Sequence, residues 1–145
     1  MASTLTVSVT ETLTLDGDNL GAVRSLTYTD VNYAYRQTLN VATGSMQTLL
    51  TMGAAPAGGT IVRANFRYAR FRNADATNYV TLRLQKTGAE TAYIKLDPGE
   101  FFVLSHPAIE VDTAGGAFAA FNDLDTIAAE ANTAACKVEI FVATA

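Results

Sequence analysis

Thr4-Leu5-Thr6-Val7-Ser8-Val9-Thr10-Glu11-Thr12-Leu13-Thr14-Leu15 decides the fold class. Leu5, Val7 and Val9 alternate with hydroxyl side chains, and Leu13 and Leu15 resume the alternation with Thr12 and Thr14 between them. A strand sends successive side chains to opposite faces, so this segment presents one apolar and one hydroxyl face. Thr and Val are β-branched and fit a pleated surface.

The same period-2 pattern runs outward along the chain. Asp16-Gly17-Asp18-Asn19 is turn chemistry. Residues 22–41 form a strand-like stretch with Leu26, Tyr28, Val31, Tyr33, Tyr35 and Leu39, and 47–52 is a shorter strand candidate. The run from Met52 through Pro56 to Gly59 is a loop. Residues 60–72 alternate again. Ile61, Arg63, Asn65, Arg67, Ala69 and Phe71 are expected on one face and Val62, Ala64, Phe66, Tyr68, Arg70 and Arg72 on the other. After the loop 73–78 come strands at 79–85, 91–96 and 100–105, parted by Lys86-Thr87-Gly88-Ala89 and by Asp97-Pro98-Gly99. Pro pre-sets φ for the second position of a β-turn and Gly accepts positive φ at the third.

Beyond Pro107 the pattern is weaker. It allows a short strand at 108–111, a loop at 112–116, one helical turn around 122–124 and a short strand at 126–129. Cys136 opens a last strand, 136–143, with Val138, Ile140 and Val142 on one face. Short strands at near-regular spacing with turn residues between them predict an all-β fold. The expected form is an antiparallel β-sandwich, jelly-roll-like, of about eight strands, with residues 1–145 as one domain.

Hydrophobic residues make up 49% of the 145 positions and charged residues 17%, the latter below the ~25% of ordinary soluble domains. Sparse charge fits a surface covered by a partner; it also fits a compact monomer with a Thr, Ser and Asn surface. The net charge of −4 argues against a nucleic-acid partner, which needs a basic footprint. Arg63, Arg67, Arg70 and Arg72 recur through one segment. They make either a local basic stripe or, more plainly, the solvated side of a strand. No apolar run approaches the ~18 residues of a membrane span, and the opening residues lack the basic and apolar regions of a secretory leader. Synthesis in a cytoplasm is expected, with no membrane partner. Cys136 is the single cysteine, which rules out an intrachain disulfide and suits a small buried apolar residue.

The residues for catalysis are missing, so no enzyme activity and no cofactor are expected. His106 is the single histidine, too few for a zinc site of His and Cys ligands. Ser105 stands beside it, but no Gly-x-Ser-x-Gly nucleophile turn exists. Asp16, Asp18 and Asn19 lack the rest of a calcium loop. Asp112, Asp123 and Asp125 are oxygen ligands that one end of a sandwich can gather, although Asp also serves as an ordinary turn residue. Gly58-Gly59 and Gly115-Gly116 lack the Lys-Ser/Thr and helix start of a phosphate loop. Six Tyr and seven Phe offer material for a sugar-stacking platform, yet most of these rings fall at alternating strand positions that suit core packing.

Arg70-Phe71-Arg72-Asn73-Ala74-Asp75-Ala76-Thr77-Asn78-Tyr79-Val80-Thr81-Leu82-Arg83-Leu84 resembles the strand–loop–strand pattern of small β-sandwich virion proteins of tailed bacteriophages. Thr91-Ala92-Tyr93-Ile94-Lys95-Leu96-Asp97-Pro98-Gly99-Glu100-Phe101-Phe102-Val103-Leu104 is similar to the L-x-P-G-E turn of those proteins, and Glu11-Thr12-Leu13-Thr14-Leu15-Asp16-Gly17 resembles their N-terminal part. Each motif is also good hairpin chemistry. The resemblance implies a virion structural protein, foremost a capsid decoration (cement) protein. Such a protein binds the major capsid protein on the outer capsid surface and stabilises subunit contacts. A neck, tail or fibre component is the alternative within the virion, and a carbohydrate-binding β-sandwich module the alternative outside it.

Sparse charge and small uncharged strand residues also fit self-association. Closed rotational symmetry is how identical subunits bury such surface, and a trimer suits the three-fold points of an icosahedral shell. The expected contacts begin with the N-terminal strand, Ala2, Ser3, Thr4, Leu5, Thr6 and Val7, which suits addition to a neighbour's sheet edge. Pro56 and Gly58 in one loop and Thr113 and Gly115 in another complete the expected interface.

Overall fold

The computed structural model of the chain describes residues 3–87, 91–105 and 124–145. Among these the chain is all β apart from one 3-10 turn, Arg63–Asn65. Two sheets pack face to face. The four-stranded sheet holds β5 (Tyr33–Val41), β8 (Phe66–Asn73), β11 (Phe101–Leu104) and β13 (Cys136–Thr144), in the order β11-β8-β13-β5. The five-stranded sheet holds β6 (Gln47–Gly53), β7 (Thr60–Val62), β9 (Val80–Gln85), β10 (Thr91–Leu96) and β12 (Thr126–Ala131), in the order β10-β9-β12-β6-β7. Every described pairing between these strands is antiparallel except β6 with the three-residue β7.

Alternation explains the core. In β13 Val138, Ile140 and Val142 are buried while Lys137 is exposed. In β9 Val80, Leu82 and Leu84 turn inward from the opposite sheet. Phe66 and Phe71 of β8 and Ile127 of β12 fill the space between, with Cys136 as one more buried apolar residue. The alternation expected for 60–72 fails at one point. Phe66 lies in the same core as Ala69 and Phe71, not with Tyr68. The 3-10 turn before Phe66 and a register shift opposite Ala143 and Thr144 break the strand period there.

The strand-like stretch 22–41 is divided into two strands, Val23–Val31 and Tyr33–Val41. Asp30 takes a positive φ of 59°. The chain bends there, and the Asn32 amide reaches the Thr144 carbonyl at 3.0 Å. Before the bend lies β4 (Val23–Val31), which leaves the sandwich to pair with β1 (Ser3–Thr10). The short β2 (Thr14–Leu15) and β3 (Asp18–Asn19) prolong the pair. One register runs through all four, from Leu5 opposite Tyr28, past Glu11 N–H to Ala22 C=O at 2.8 Å and Leu20 N–H to Leu13 C=O at 2.9 Å, to Leu15 opposite Asp18. Asp16 and Gly17 turn the tip with φ of 52° and 90°, the two positive values that a two-residue hairpin turn requires. The result is one long hairpin folded back over the outer face of the four-stranded sheet. There Leu5, Val7 and Tyr28 pack on Tyr68, Val103, Phe141 and Ala143.

One end of the sandwich is organised by Asn73, a fully buried polar side chain at the end of β8. Its Nδ2 donates to the carbonyls of Asn78 at 2.8 Å and Leu96 at 3.1 Å, and its Oδ1 accepts the Asp75 amide at 3.0 Å. Its backbone holds the 97–100 turn, accepting the Gly99 amide at 3.0 Å and donating to Glu100 C=O at 2.9 Å. That turn has the expected form, with Gly99 at φ 83° and Glu100 N–H bonded to Asp97 C=O at 3.0 Å. Within the 74–79 loop the Asp75 carboxylate accepts the amides of Thr77 at 2.8 Å and Asn78 at 2.7 Å. These bonds to the charged form, Asn78 first, hold the Asp75 pKa below the usual carboxylate range. A depressed folded-state pKa stabilises above the unfolded value and is lost as pH falls through the folded one. Acid denaturation of the wild type is therefore expected to include a loss of stability beginning below about pH 4 that Asp75→Asn lacks. Equal slopes of stability against pH in the two proteins would refute it.

The strand and helical turn expected at 108–111 and 122–124 fall, wholly or largely, outside the described residues. The strand expected at 126–129 is β12, which runs on to Ala131 and lies between β6 and β9.

Candidate functional site: a groove between hairpin and sheet

Cross-strand partners share a face. The hairpin therefore carries Leu5, Val7, Val9, Leu13 and Leu15 on the same side as Leu20, Leu26 and Tyr28. Thr4, Thr6, Ser8, Ser25 and Thr27 form the opposite, hydroxyl side, where the Ser8 and Ser25 hydroxyls bond at 2.8 Å. Among the described residues only the root of the apolar side is covered. Tyr28 anchors it, its hydroxyl donating to Ser105 C=O and its ring 6.0 Å from that of Tyr68. Burial pushes both phenols above their ordinary pKa, so they act here as packing groups with one hydrogen-bonding tip.

Beyond the root the hairpin stands off the sheet and leaves a groove of about 750 Å³. Val9 and Leu26 form one wall, and Phe101 and Val103 of β11 form the other. Val9 is 58% exposed, Leu26 51% and Phe101 62%, so the walls face each other without closing. Arg24, Arg70 and Arg72 line the same groove, and among the described residues no carboxylate lines it. Arg72 contacts Glu139 at 3.3 Å. Arg70 has its Nε buried without a hydrogen-bond partner among the described residues. The groove therefore combines apolar walls with arginines, of which Arg72 alone has a carboxylate partner among the described residues. Such a surface suits an occupant with exposed leucine-like side chains and carboxylates.

The four arginines of 63–72 do not form one stripe. Arg63 pairs with Asp125 and donates to Leu124 C=O at 3.2 Å, and Arg67 donates to the carbonyls of Ala64 and Phe66 at 3.2 and 3.1 Å. Arg70 and Arg72 alone enter the groove, where they meet Arg24 from the hairpin. Asp125 is occupied by Arg63 and by the Thr87 amide at 2.7 Å. Among the described residues no three His, Cys, Asp or Glu side chains gather around a common point. His106, Asp112 and Asp123 lie outside the described residues.

Of the expected interface, Thr4 and Thr6 are exposed on the hydroxyl side and Ser3 is exposed opposite Val31, while Leu5 and Val7 are half-buried at the hairpin root. Pro56 and Gly58 are exposed in the loop leading to β7, on the other sheet and away from the groove lining. Ala2, Thr113 and Gly115 lie outside the described residues. Sequence reasoning did not assign Arg24, Arg70, Arg72 and Phe101 to a site. The available signal was the mixture of apolar and charged residues on both faces of 66–72.

A second cleft of about 580 Å³ has Tyr33, Tyr35, Arg36 and Gln37 of β5 on one side and Gly59, Thr60 and Ile61 on the other. The Tyr33 and Tyr35 rings lie 6.1 Å apart, and Tyr33 is mostly exposed. No protein-family model, curated protein or solved structure matches the chain.

Proposed function

We propose that this chain is a phage virion structural protein, a capsid decoration (cement) protein that binds the outer face of the major capsid protein and works as a homo-oligomer, with a trimer preferred. The observation that carries the reading is the hairpin. An isolated two-stranded ribbon is marginal in water, yet this one extends an uncovered apolar side and an exposed tip from a well-packed sandwich. Such an element gains its stability from a neighbouring molecule, as in a repeating shell. The segments resembling phage virion proteins support the same reading, since 70–84 and 91–104 meet at Asn73 as one unit. Strand order supports a jelly-roll description of the sandwich. Apart from short β7, the chain alternates between the two sheets at each step, except from β9 to its neighbour β10.

The test is a cryo-electron reconstruction of the parent particle, with binding of the purified protein to heads stripped of it. Density in many copies on the outer capsid face is the expected result. Density at a single vertex would make the chain a neck or tail component instead. The Tyr33 and Tyr35 cleft favours the carbohydrate-binding reading. That reading predicts glycan binding by the isolated protein, lost in Tyr33→Ala, and such a result without head binding would replace the virion assignment.

A further inference from the structure

We propose that the hairpin tip of one copy seats in the groove between hairpin and sheet of a second copy. The inference rests on the self-association part of the reading above and names its contact. Both halves of the contact are on this chain. The tip presents Leu13, Leu15 and Leu20, all more than half exposed, on the apolar side. Residues 10–22 contain Glu11, Asp16 and Asp18 and no lysine or arginine. The groove presents Val9, Leu26 and Phe101 with Arg24, Arg70 and Arg72 and, among the described residues, no carboxylate. Apolar surface thus meets apolar surface, and acidic tip meets basic groove. Asp18, opposite Leu15, shares the leucine side of the tip. It can therefore enter with the leucines and reach an arginine, and Arg70 brings a buried Nε that has no partner among the described residues.

The tip cannot fill the groove of its own chain. Val9 and Arg24 line the groove, and the register stays unbroken to Leu15 and Asp18. At ~3.3 Å per residue the tip lies roughly 20 Å further along the ribbon. Folding back would break the ladder that holds it. A tip-to-groove contact is therefore intermolecular. It joins unlike surfaces, so repeated contacts close into a ring or, where the rotation does not close, run on as a filament.

The test is sedimentation of the full chain over a concentration series, with disulfide trapping. Wild type is expected to associate. Leu15→Ser combined with Asp18→Lys, and separately Arg24→Glu combined with Phe101→Ser, are each expected to weaken association at least about tenfold. All four positions are exposed, so these variants keep the fold. For trapping, Leu15→Cys and Phe101→Cys proteins are mixed under mild oxidation, Cys136 being buried. The mixture is expected to yield a covalent dimer that neither variant forms alone to the same extent. A wild type that stays monomeric at every concentration overturns the inference, as does a mixture with no more dimer than the single-variant controls. Groove variants that lose head binding while the free protein is monomeric assign the groove to the capsid protein and also overturn it. Trapped tip–groove dimers in a protein that binds no heads support the inference and count against the decoration reading alone.

Discussion

Phe71→Ala is expected to lower the unfolding free energy by about 3–5 kcal/mol, the range for truncating a buried aromatic side chain. Phe71 is fully buried on β8, an interior strand of its sheet. It stands beside Ile140 of β13 on one side and Phe102 of β11 on the other, and its ring joins the core that both sheets share. Ladder hydrogen bonds on both edges of β8 prevent the backbone from collapsing into the space left by the ring, so most of the cavity cost remains. Chemical denaturation is the measurement. The midpoint should fall with the denaturant slope unchanged, because the surface exposed on unfolding is nearly the same. A loss under about 1 kcal/mol, the typical effect of an ordinary substitution, would mean that the sheets do not meet across Phe71.

Asn73→Ala is expected to cost about 2–4 kcal/mol, because each buried polar group left unpaired costs roughly 1–3 kcal/mol. The substitution removes the side-chain partner of the Asn78 and Leu96 carbonyls and of the Asp75 amide in one step. The side chain joins β8, the 74–79 loop and the end of β10. Its loss should therefore also loosen the loop, and hydrogen exchange at the Asp75 amide should accelerate in the variant. Stability within about 0.5 kcal/mol of wild type, the usual effect of a surface change, would show that water replaces these bonds and that the junction does not depend on Asn73.

The two residues differ in how far their roles can be read from the chain. Phe71 sits in an alternating run, and its inward direction relative to Arg70 and Arg72 follows from strand geometry alone. Asn73 reads as the first residue of a loop. Its burial depends on the 97–100 turn, which the chain reaches only after another pair of strands. The same distinction divides the site. The apolar side of 5–15 is visible in the alternation, and Asp16-Gly17 announces its turn. That this side lies over the outer face of a sheet, and not between the sheets, follows from the bend at Asp30 and the Asn32–Thr144 bond. Arg70 and Arg72 look like ordinary solvated strand residues until the hairpin brings Arg24, Val9 and Leu26 across from them.

Local alternation and turn chemistry are enough to make this chain all β, to mark Val138, Ile140 and Val142 as a buried face, and to place the Asp97–Gly99 turn. Those features depend on side-chain direction and on φ preferences within a few residues, and they exist before any distant contact forms. Pairing of strands, the fold-back of the hairpin and the groove it leaves open depend on residues far apart in sequence. The same alternating pattern satisfies an inner face, an outer face or a neighbour's surface equally well. Packing energy, with its demand that each buried polar group find a partner, selects among them.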